Sequence, residues 1–180
     1  MAKPKVSSDW LAGCAGCHMS LLDMDERIVK VIELADLRAT PITDLKEPDE
    51  TGVDVGILEG GIANTYNEEV AHRMRKRCKV LVSLGDCAVF GGVPAMRNFF
   101  NIEDTLKRAY IEAESVDESG KIPSDPELAQ MTTVRPVHEI VPVDVFVPGC
   151  PPDADVIFYV LAELAQGRKP EIKGVNLQWQ

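Results

Sequence analysis

Two cysteines stand three positions apart near the amino terminus, in the sequence Cys14-Ala15-Gly16-Cys17-His18. Two thiols at this spacing can bind one metal centre from a single tight loop, and the flanking glycines allow the loop backbone to approach it closely. Zinc, an iron–sulfur cluster, a redox disulfide and covalent c-type haem attachment all use such a pair. The other residues of the chain are needed to distinguish these four kinds of site.

The overall composition excludes several classes of protein. The chain has 180 residues, 45% hydrophobic and 27% charged, which is ordinary for a globular protein. Its net charge of −10 argues against a nucleic-acid partner, since such partners normally require a basic face. No run reaches the ~20 apolar residues of a membrane helix, and the amino terminus shows neither an apolar signal core nor a twin-arginine motif. We therefore expect a single cytoplasmic domain over residues 1–180, with no membrane contact.

Apolar runs typical of strands alternate with helical patterns along the whole chain. Strands are predicted over residues 5–11, 37–42, 53–58, 79–84 and 143–147. Such alternation is typical of a doubly wound α/β fold with a mainly parallel sheet.

The first predicted helix begins at Ser20, directly after the cysteine pair. Its apolar residues recur at intervals of three and four up to Ala35, which places them on one helical face. Further along, residues 112–142 form a long polar connection, and residues 168–180 form a tail after the last helix. A connection of such length inside a compact domain is usually functional or part of an interface.

Chemically useful residues follow four of the predicted strands. Cys14 and Cys17 follow the first, Glu59-Gly60-Gly61 ends another, and Cys87 and Cys150 each follow a later one. The carboxyl ends of parallel strands share one edge of a sheet, where ligands bind. We therefore expect these residues to meet there.

Four thiols from three loops suit either a tetrahedral zinc site or a [4Fe–4S] cluster. The pattern favours the cluster, because structural zinc more often uses two paired knuckles and a core of this size hardly needs zinc to fold. The fifth cysteine, Cys78, precedes a strand and is interpreted as a small buried hydrophobe. His18 completes a haem signature, but haem attachment belongs outside the cytoplasm, so His18 is interpreted as incidental.

Glu59 has two interpretations. A carboxylate before two glycines at the end of a strand is either part of a turn or an acid placed for chemistry. Near a redox centre it would serve in proton transfer or at an interface.

Four motifs together resemble the small subunit of nickel–iron hydrogenases. They are Cys-Ala-Gly-Cys at 14–17, Leu-Glu-Gly-Gly at 58–61, Gly-Asp-Cys-Ala-Val-Phe-Gly-Gly-Val-Pro at 85–94 and Pro-Gly-Cys-Pro-Pro at 148–152. The resemblance spans about residues 5–167. It implies a flavodoxin-like domain in which Cys14, Cys17, Cys87 and Cys150 bind one [4Fe–4S] cluster.

The resemblance also implies partners. The nickel–iron site belongs to a separate large subunit, so this chain would transfer electrons and not cleave dihydrogen. The position of Glu59 lies near the subunit interface in that family and is a candidate for proton transfer. The sequence shows neither a twin-arginine leader nor a second cluster domain, and in this respect it resembles the small subunit of cytoplasmic NAD-linked hydrogenases. The diaphorase subunits of those enzymes carry FMN and further clusters.

Three alternatives remain. FMN has been considered for the small subunit of this branch, but the sequence shows no phosphate-binding loop of Gly, Ser and Thr. The related subunit of respiratory NADH:quinone oxidoreductase shares Pro-Gly-Cys-Pro-Pro, but has adjacent cysteines in place of the Cys14–Cys17 spacing. A zinc-stabilised binding module with an acidic docking surface is the non-enzymatic alternative.

Overall fold

The computed structural model of the chain describes residues 3–44 and 51–174. Seven strands lie within these residues: β1 (Lys5–Trp10), β2 (Asp36–Ala39), β3 (Val53–Glu59), β4 (Ile62–Asn64), β5 (Cys78–Leu84), β6 (Met131–Arg135) and β7 (Val145–Val147). The helices are α1 (Gly16–Leu22), α2 (Arg27–Leu34), α3 (Thr65–Arg77), α4 (Asp86–Phe90), α5 (Ile102–Tyr110) and α6 (Ala154–Ala165), with 3-10 helices at Val93–Phe99 and Val137–Glu139.

Five of the strands form one parallel sheet in the order β2-β1-β3-β5-β7. If only these five are numbered along the chain, the order is 2-1-3-4-5, the flavodoxin-like arrangement of doubly wound sheets. The predicted fold class is therefore confirmed. None of the helices in the described ranges is long and apolar enough to span a membrane.

The two faces of the sheet bury separate cores, because side chains alternate along each strand. Val55 and Ile57 of β3 pack with Val31 of α2 and with α6 on one face. Leu58 of β3 packs with Met74 of α3 on the other. Burial on both faces explains why β3 and β5 are almost continuously apolar in sequence.

The single helix predicted from Ser20 is wrong, because the structure contains two helices there. The first, α1, begins at Gly16, and α2 begins at Arg27. Asp25 between them has a φ of +51°, a left-handed conformation that ends the regular hydrogen bonding of a helix. Met24 at the break is only 1% exposed, so the apolar periodicity continues through a turn that is itself buried.

The polar connection over residues 112–142 contains more structure than its sequence predicts. Its first part, up to residue 130, has neither helix nor strand, but β6 then pairs with β4 in a small antiparallel sheet. The register places Ile62 opposite Arg135 and Asn64 opposite Met131. Of the predicted tail, residues 168–174 follow α6, and residues 175–180 lie outside the described residues.

Shortening a buried side chain of β5 should destabilise the fold. Leu81 is 0% exposed, and we expect Leu81→Ala to lower the free energy of unfolding by about 2–5 kcal/mol through lost burial and a residual cavity. Urea denaturation followed by circular dichroism measures this change. Leu128→Ala is the matched control, because Leu128 is 51% exposed and its truncation should shift the midpoint little. Equal midpoint shifts for the two variants would contradict the assigned core.

Candidate metal centre

The parallel sheet brings the four predicted cysteines to one edge. Strands β1, β5 and β7 end at Trp10, Leu84 and Val147, and the cysteines follow each of these ends within a few residues. Strand β3, between β1 and β5, ends at Glu59. This sheet edge therefore carries a cysteine pair, a carboxylate and two single cysteines, in that order across the strands.

The cysteine pair lies on both sides of the start of α1. Ala15 has a φ of +63° and turns the chain into the helix, so Cys17 belongs to the first turn while Cys14 precedes it. Cys17 is buried and Cys14 is exposed. The helix therefore holds one thiol inward and leaves the other at the surface.

The carboxylate of Glu59 holds this helix start in place. Its Oε1 atom accepts a hydrogen bond from the Cys17 N–H at 3.2 Å, and Oε2 accepts one from the His18 N–H at 2.9 Å. Glu59 is only 2% exposed. The first N–H groups of any helix have no partner within the helix, and here a buried acid supplies it.

His18 is not incidental, contrary to the interpretation from sequence. It is 1% exposed, its Nδ1 atom forms a hydrogen bond with Oε2 of Glu59, and its Nε2 atom lies 2.9 Å from the Ser8 hydroxyl. Ser8 lies in β1, so the side chains of two strands and one helix are joined. The sequence gives no specific signal for this contact, because Ser8 is one of several polar residues in β1.

The two single cysteines lie in loops that are bonded to each other. Cys87 is the second residue of α4 and is half-buried, whereas Cys150 is exposed. The N–H of Asp86 donates to the carbonyl of Gly149 at 2.8 Å, and the N–H of Gly149 donates to Oδ1 of Asp86 at 2.7 Å. These residues directly precede Cys87 and Cys150, so the two thiols are fixed relative to one another.

Glycines keep space open around the sulfur atoms. A Cβ atom on Gly85 would lie 2.3 Å from Sγ of Cys17, and one on Gly92 would lie 3.0 Å from Sγ of Cys87. A Cβ on Gly16 would lie 3.1 Å from Sγ of Cys14. The side chain of any other residue at Gly85 would occupy the space of the Cys17 thiol, so glycine at this position leaves room for that sulfur atom.

The thiols also interact electrostatically. Burial raises the pKa of the Cys17 thiol far above its ordinary value, and the charges of Glu59 and of the other three cysteines raise it further. Burial raises the pKa of Cys87 as well, and Cys150, Cys14 and Glu59 add to that rise, although a backbone hydrogen bond at Val93 lowers it. A cationic centre bound at this site would favour the deprotonated forms of Cys17 and Cys87.

Cys78 is not part of this group. It is the first residue of β5, so it lies at the end of that strand remote from Cys87. Its side chain is 7% exposed within the core that contains Met74. Burial raises the pKa of its thiol. The structural interpretation of Cys78 agrees with this position.

A surface of exposed apolar side chains adjoins the Cys87 loop. We define the apolar surface by five residues of α4 and of the following segment: Phe90, Val93, Met96, Phe99 and Phe100. Phe99 is 85% exposed and Phe100 is 71% exposed. Five large exposed apolar side chains within residues 90–100 are typical of a binding interface.

Polar side chains hold the apolar surface on the small sheet. Arg97 donates to the carbonyl oxygens of Ala63 and Thr132. The amide of Asn98 donates to the carbonyl of Val134 and accepts from its N–H, at 2.8 Å each. The unpredicted strands β4 and β6 thus support a surface next to the cysteines.

Comparisons with known proteins agree with this arrangement. The family model described as "NADH ubiquinone oxidoreductase, 20 Kd subunit" matches residues 14–164, which include all four cysteines of the site. The delta subunit of the NAD-reducing hydrogenase of Cupriavidus necator is 44% identical over 169 residues, covering 92% of this chain and 80% of that protein.

Two further relatives extend this picture. One subunit of the F420-non-reducing hydrogenase of Methanothermobacter marburgensis is 38% identical over 97% of this chain, which spans 58% of that protein's length. A crystal structure of an NAD+-reducing [NiFe]-hydrogenase in the H2-reduced state contains a chain with a TM-score of 0.93 and 37% identity, covering 99% of this chain and 100% of that one. The chain therefore belongs to the NADH ubiquinone oxidoreductase 20 Kd subunit family, on the branch that contains the subunits of NAD-reducing hydrogenases.

Proposed function

We propose that this chain is the small subunit of a cytoplasmic NAD-linked nickel–iron hydrogenase and relays electrons through one [4Fe–4S] cluster. The observation that carries the proposal is the meeting of Cys14, Cys17, Cys87 and Cys150 at one edge of the sheet. The relatives named above, which are subunits of hydrogenases, support the reaction class. Dihydrogen would be cleaved in the large subunit, and a diaphorase module would pass the electrons to NAD.

The donor set fits a cluster better than zinc. A tetrahedral zinc site binds all four thiolates at one ion, most often from two paired knuckles, whereas a [4Fe–4S] cluster takes one thiolate at each of four iron atoms. The single thiols of Cys87 and Cys150 on separate segments, and the glycines that leave room around the sulfur atoms, suit the larger group.

The four cysteines would hold the cluster, which accepts and releases one electron at a time when bound. The chain's own residues prepare the site. Glu59 fixes the start of α1 and thereby the buried Cys17, while the backbone around Gly85 and Gly92 leaves room for the sulfur atoms. Burial of Cys17 keeps water from one side of the site. Water exclusion and fixed dipoles both tune reduction potentials at such sites.

The cysteine loop occupies the switch point of the sheet, where an FMN in this chain would have to bind. Flavodoxin-like proteins bind FMN between the carboxyl ends of the first and third strands. Here the N–H of Leu11 donates to the carbonyl of Glu59 at 2.7 Å, and Ala12 and Gly61 exchange two hydrogen bonds. These bonds join the two loops across the crevice, so we assign the flavin to the diaphorase partner.

We propose the apolar surface as the contact for the large subunit. It begins at Phe90, three residues after Cys87, so a large subunit bound there would lie close to the cysteines of the site. Aromatic residues and Met are enriched at the cores of protein interfaces, as they are in this surface.

Metal analysis and a pair of cysteine variants test the cluster. We expect about four irons and four labile sulfides per chain, with a broad visible absorption. Cys87→Ser should lose most of this iron, because oxygen is a poor substitute for thiolate at iron. Cys78→Ser is the control, since Cys78 lies in the core away from the site, and it should retain the iron. One zinc per chain, or equal iron in both variants, would refute the assignment.

A charge placed in the apolar surface should weaken binding of the large subunit. We expect Phe99→Asp to raise the dissociation constant about tenfold or more, because a buried unpaired charge replaces an aromatic anchor. Co-purification and titration with the large subunit measure this. Val29→Asp is the control, since Val29 is 56% exposed on α2, which packs on the other face of the sheet. If both variants bind like the unaltered chain, the large subunit docks elsewhere.

Glu59 is the proposed proton-transfer group as well as the residue that holds Cys17. Glu59→Gln keeps one acceptor oxygen but loses the titratable carboxylate, so we expect hydrogen turnover to fall about tenfold or more. Iron content, measured in the same samples, should fall far less than in Cys87→Ser. Glu163→Gln is the control. It removes a carboxylate of α6 that pairs with Arg168, and it should leave turnover unchanged. Unchanged turnover in Glu59→Gln would leave Glu59 a purely structural role.

A further inference from the structure

We infer that Asp86 is a positioning residue whose side chain sets the separation between Cys87 and Cys150. Asp86 and Gly149 directly precede these two cysteines and exchange hydrogen bonds of 2.8 and 2.7 Å. One of the two bonds uses the Asp86 backbone, and the other uses its Oδ1 atom. The inference rests on the proposed cluster and concerns how the chain holds two of its ligands at a fixed distance.

The Asp86 side chain accepts the Gly149 N–H hydrogen bond, which the ladder between β5 and β7 does not provide at this point. The last paired residues of β5 and β7 are Leu84 and Val147, and the N–H of Gly85 still donates to the Val147 carbonyl at 2.7 Å. The next bond of a parallel ladder would run from the Gly149 N–H to the Gly85 carbonyl, but that carbonyl accepts instead from the N–H groups of Ala88 and Val89 at the start of α4. The Gly149 N–H therefore finds its acceptor in the Asp86 carboxylate.

The Gly149 loop depends on this contact, because its own backbone is tightly folded. Gly149 has a φ of +137°, and a Cβ atom there would lie 2.5 Å from Cα of Pro152. On its far side, the Ser20 hydroxyl donates to the Pro152 carbonyl at 2.5 Å. Side chains from α1 and from α4 thus hold the Cys150 loop at two points, and the contact with Asp86 is the one that connects it to Cys87.

A second explanation for an acid at this position predicts a different outcome. A negative charge at the start of a helix interacts favourably with the helix dipole. That role requires the charge, whereas positioning requires only an acceptor oxygen for the Gly149 N–H. Asp86→Asn separates the two, since the asparagine amide keeps an oxygen at the same distance from the backbone and loses the charge.

The test compares Asp86→Ala, Asp86→Asn and the unaltered chain, each in the complete complex purified without oxygen. Iron per chain, the rate of iron loss to a chelator and the electron paramagnetic resonance spectrum of the reduced protein are measured. We expect Asp86→Ala to lose iron about tenfold faster and to show a broadened spectrum, because the Gly149 N–H loses its acceptor oxygen. Asp86→Asn should stay close to the unaltered protein.

Asp117→Ala is the matched control. The Asp117 carboxylate also accepts a backbone hydrogen bond, from Ser119 at 2.8 Å, but in an exposed turn of the polar connection. It should leave iron loss unchanged. If Asp86→Ala does not accumulate, Asp86→Glu replaces it, because it keeps the charge but displaces the oxygen, and it should lose iron faster than Asp86→Asn.

Two results would overturn the inference while leaving the proposed function intact. One is iron loss from Asp86→Ala at the unaltered rate. The other is equal loss from Asp86→Asn and Asp86→Ala, which would assign the effect to charge. An unaltered chain without iron would overturn both the proposed function and the inference.

Discussion

The contact between the Glu59 carboxylate and the start of α1 is the constraint on which the site depends. A buried carboxylate without partners would cost several kcal/mol, and Glu59 finds its partners in the Cys17 and His18 N–H groups and in Nδ1 of the His18 ring. Those N–H groups in turn have no acceptor within their helix. The central strand and the cysteine loop therefore require each other, and a disturbance of either one displaces the most buried thiol of the site.

The sheet order explains why a central strand supplies an acid and not a thiol. Across the edge, the strands β1, β3, β5 and β7 contribute the cysteine pair, Glu59, Cys87 and Cys150 in turn. Because β3 lies between the strands that carry cysteines, its terminal residue faces the base of the site. A carboxylate there can bond backbone N–H groups and organise the loops around the thiols. Parallel topology thus brings together residues that are far apart in sequence.

Sequence patterns predicted the parallel sheet because β3 and β5 are mostly apolar and each is directly followed by a glycine. They also predicted that the cysteines meet at one edge, since this follows from strand direction alone. They missed the break at Asp25, where a buried Met24 continues the helical spacing through a turn. They missed β4 and β6, which are three and five residues long and pair across a long interval. The hydrogen bond between His18 and Ser8 could not be predicted either, because an isolated polar residue produces no periodic pattern in the sequence.

The four thiols differ in their exposure, so one side of the site is buried and the other faces solvent. Cys17 is buried against Glu59 and the sheet, Cys87 is half-buried, and Cys14 and Cys150 are exposed. A group held by all four would be covered by this chain on one side only. The apolar surface begins at Phe90, three residues after Cys87, so a partner seated on it would cover part of what the chain leaves open. Coverage from both sides would lower the local dielectric around the thiols and exclude water, so binding of a partner there would change the electrostatic environment of the site.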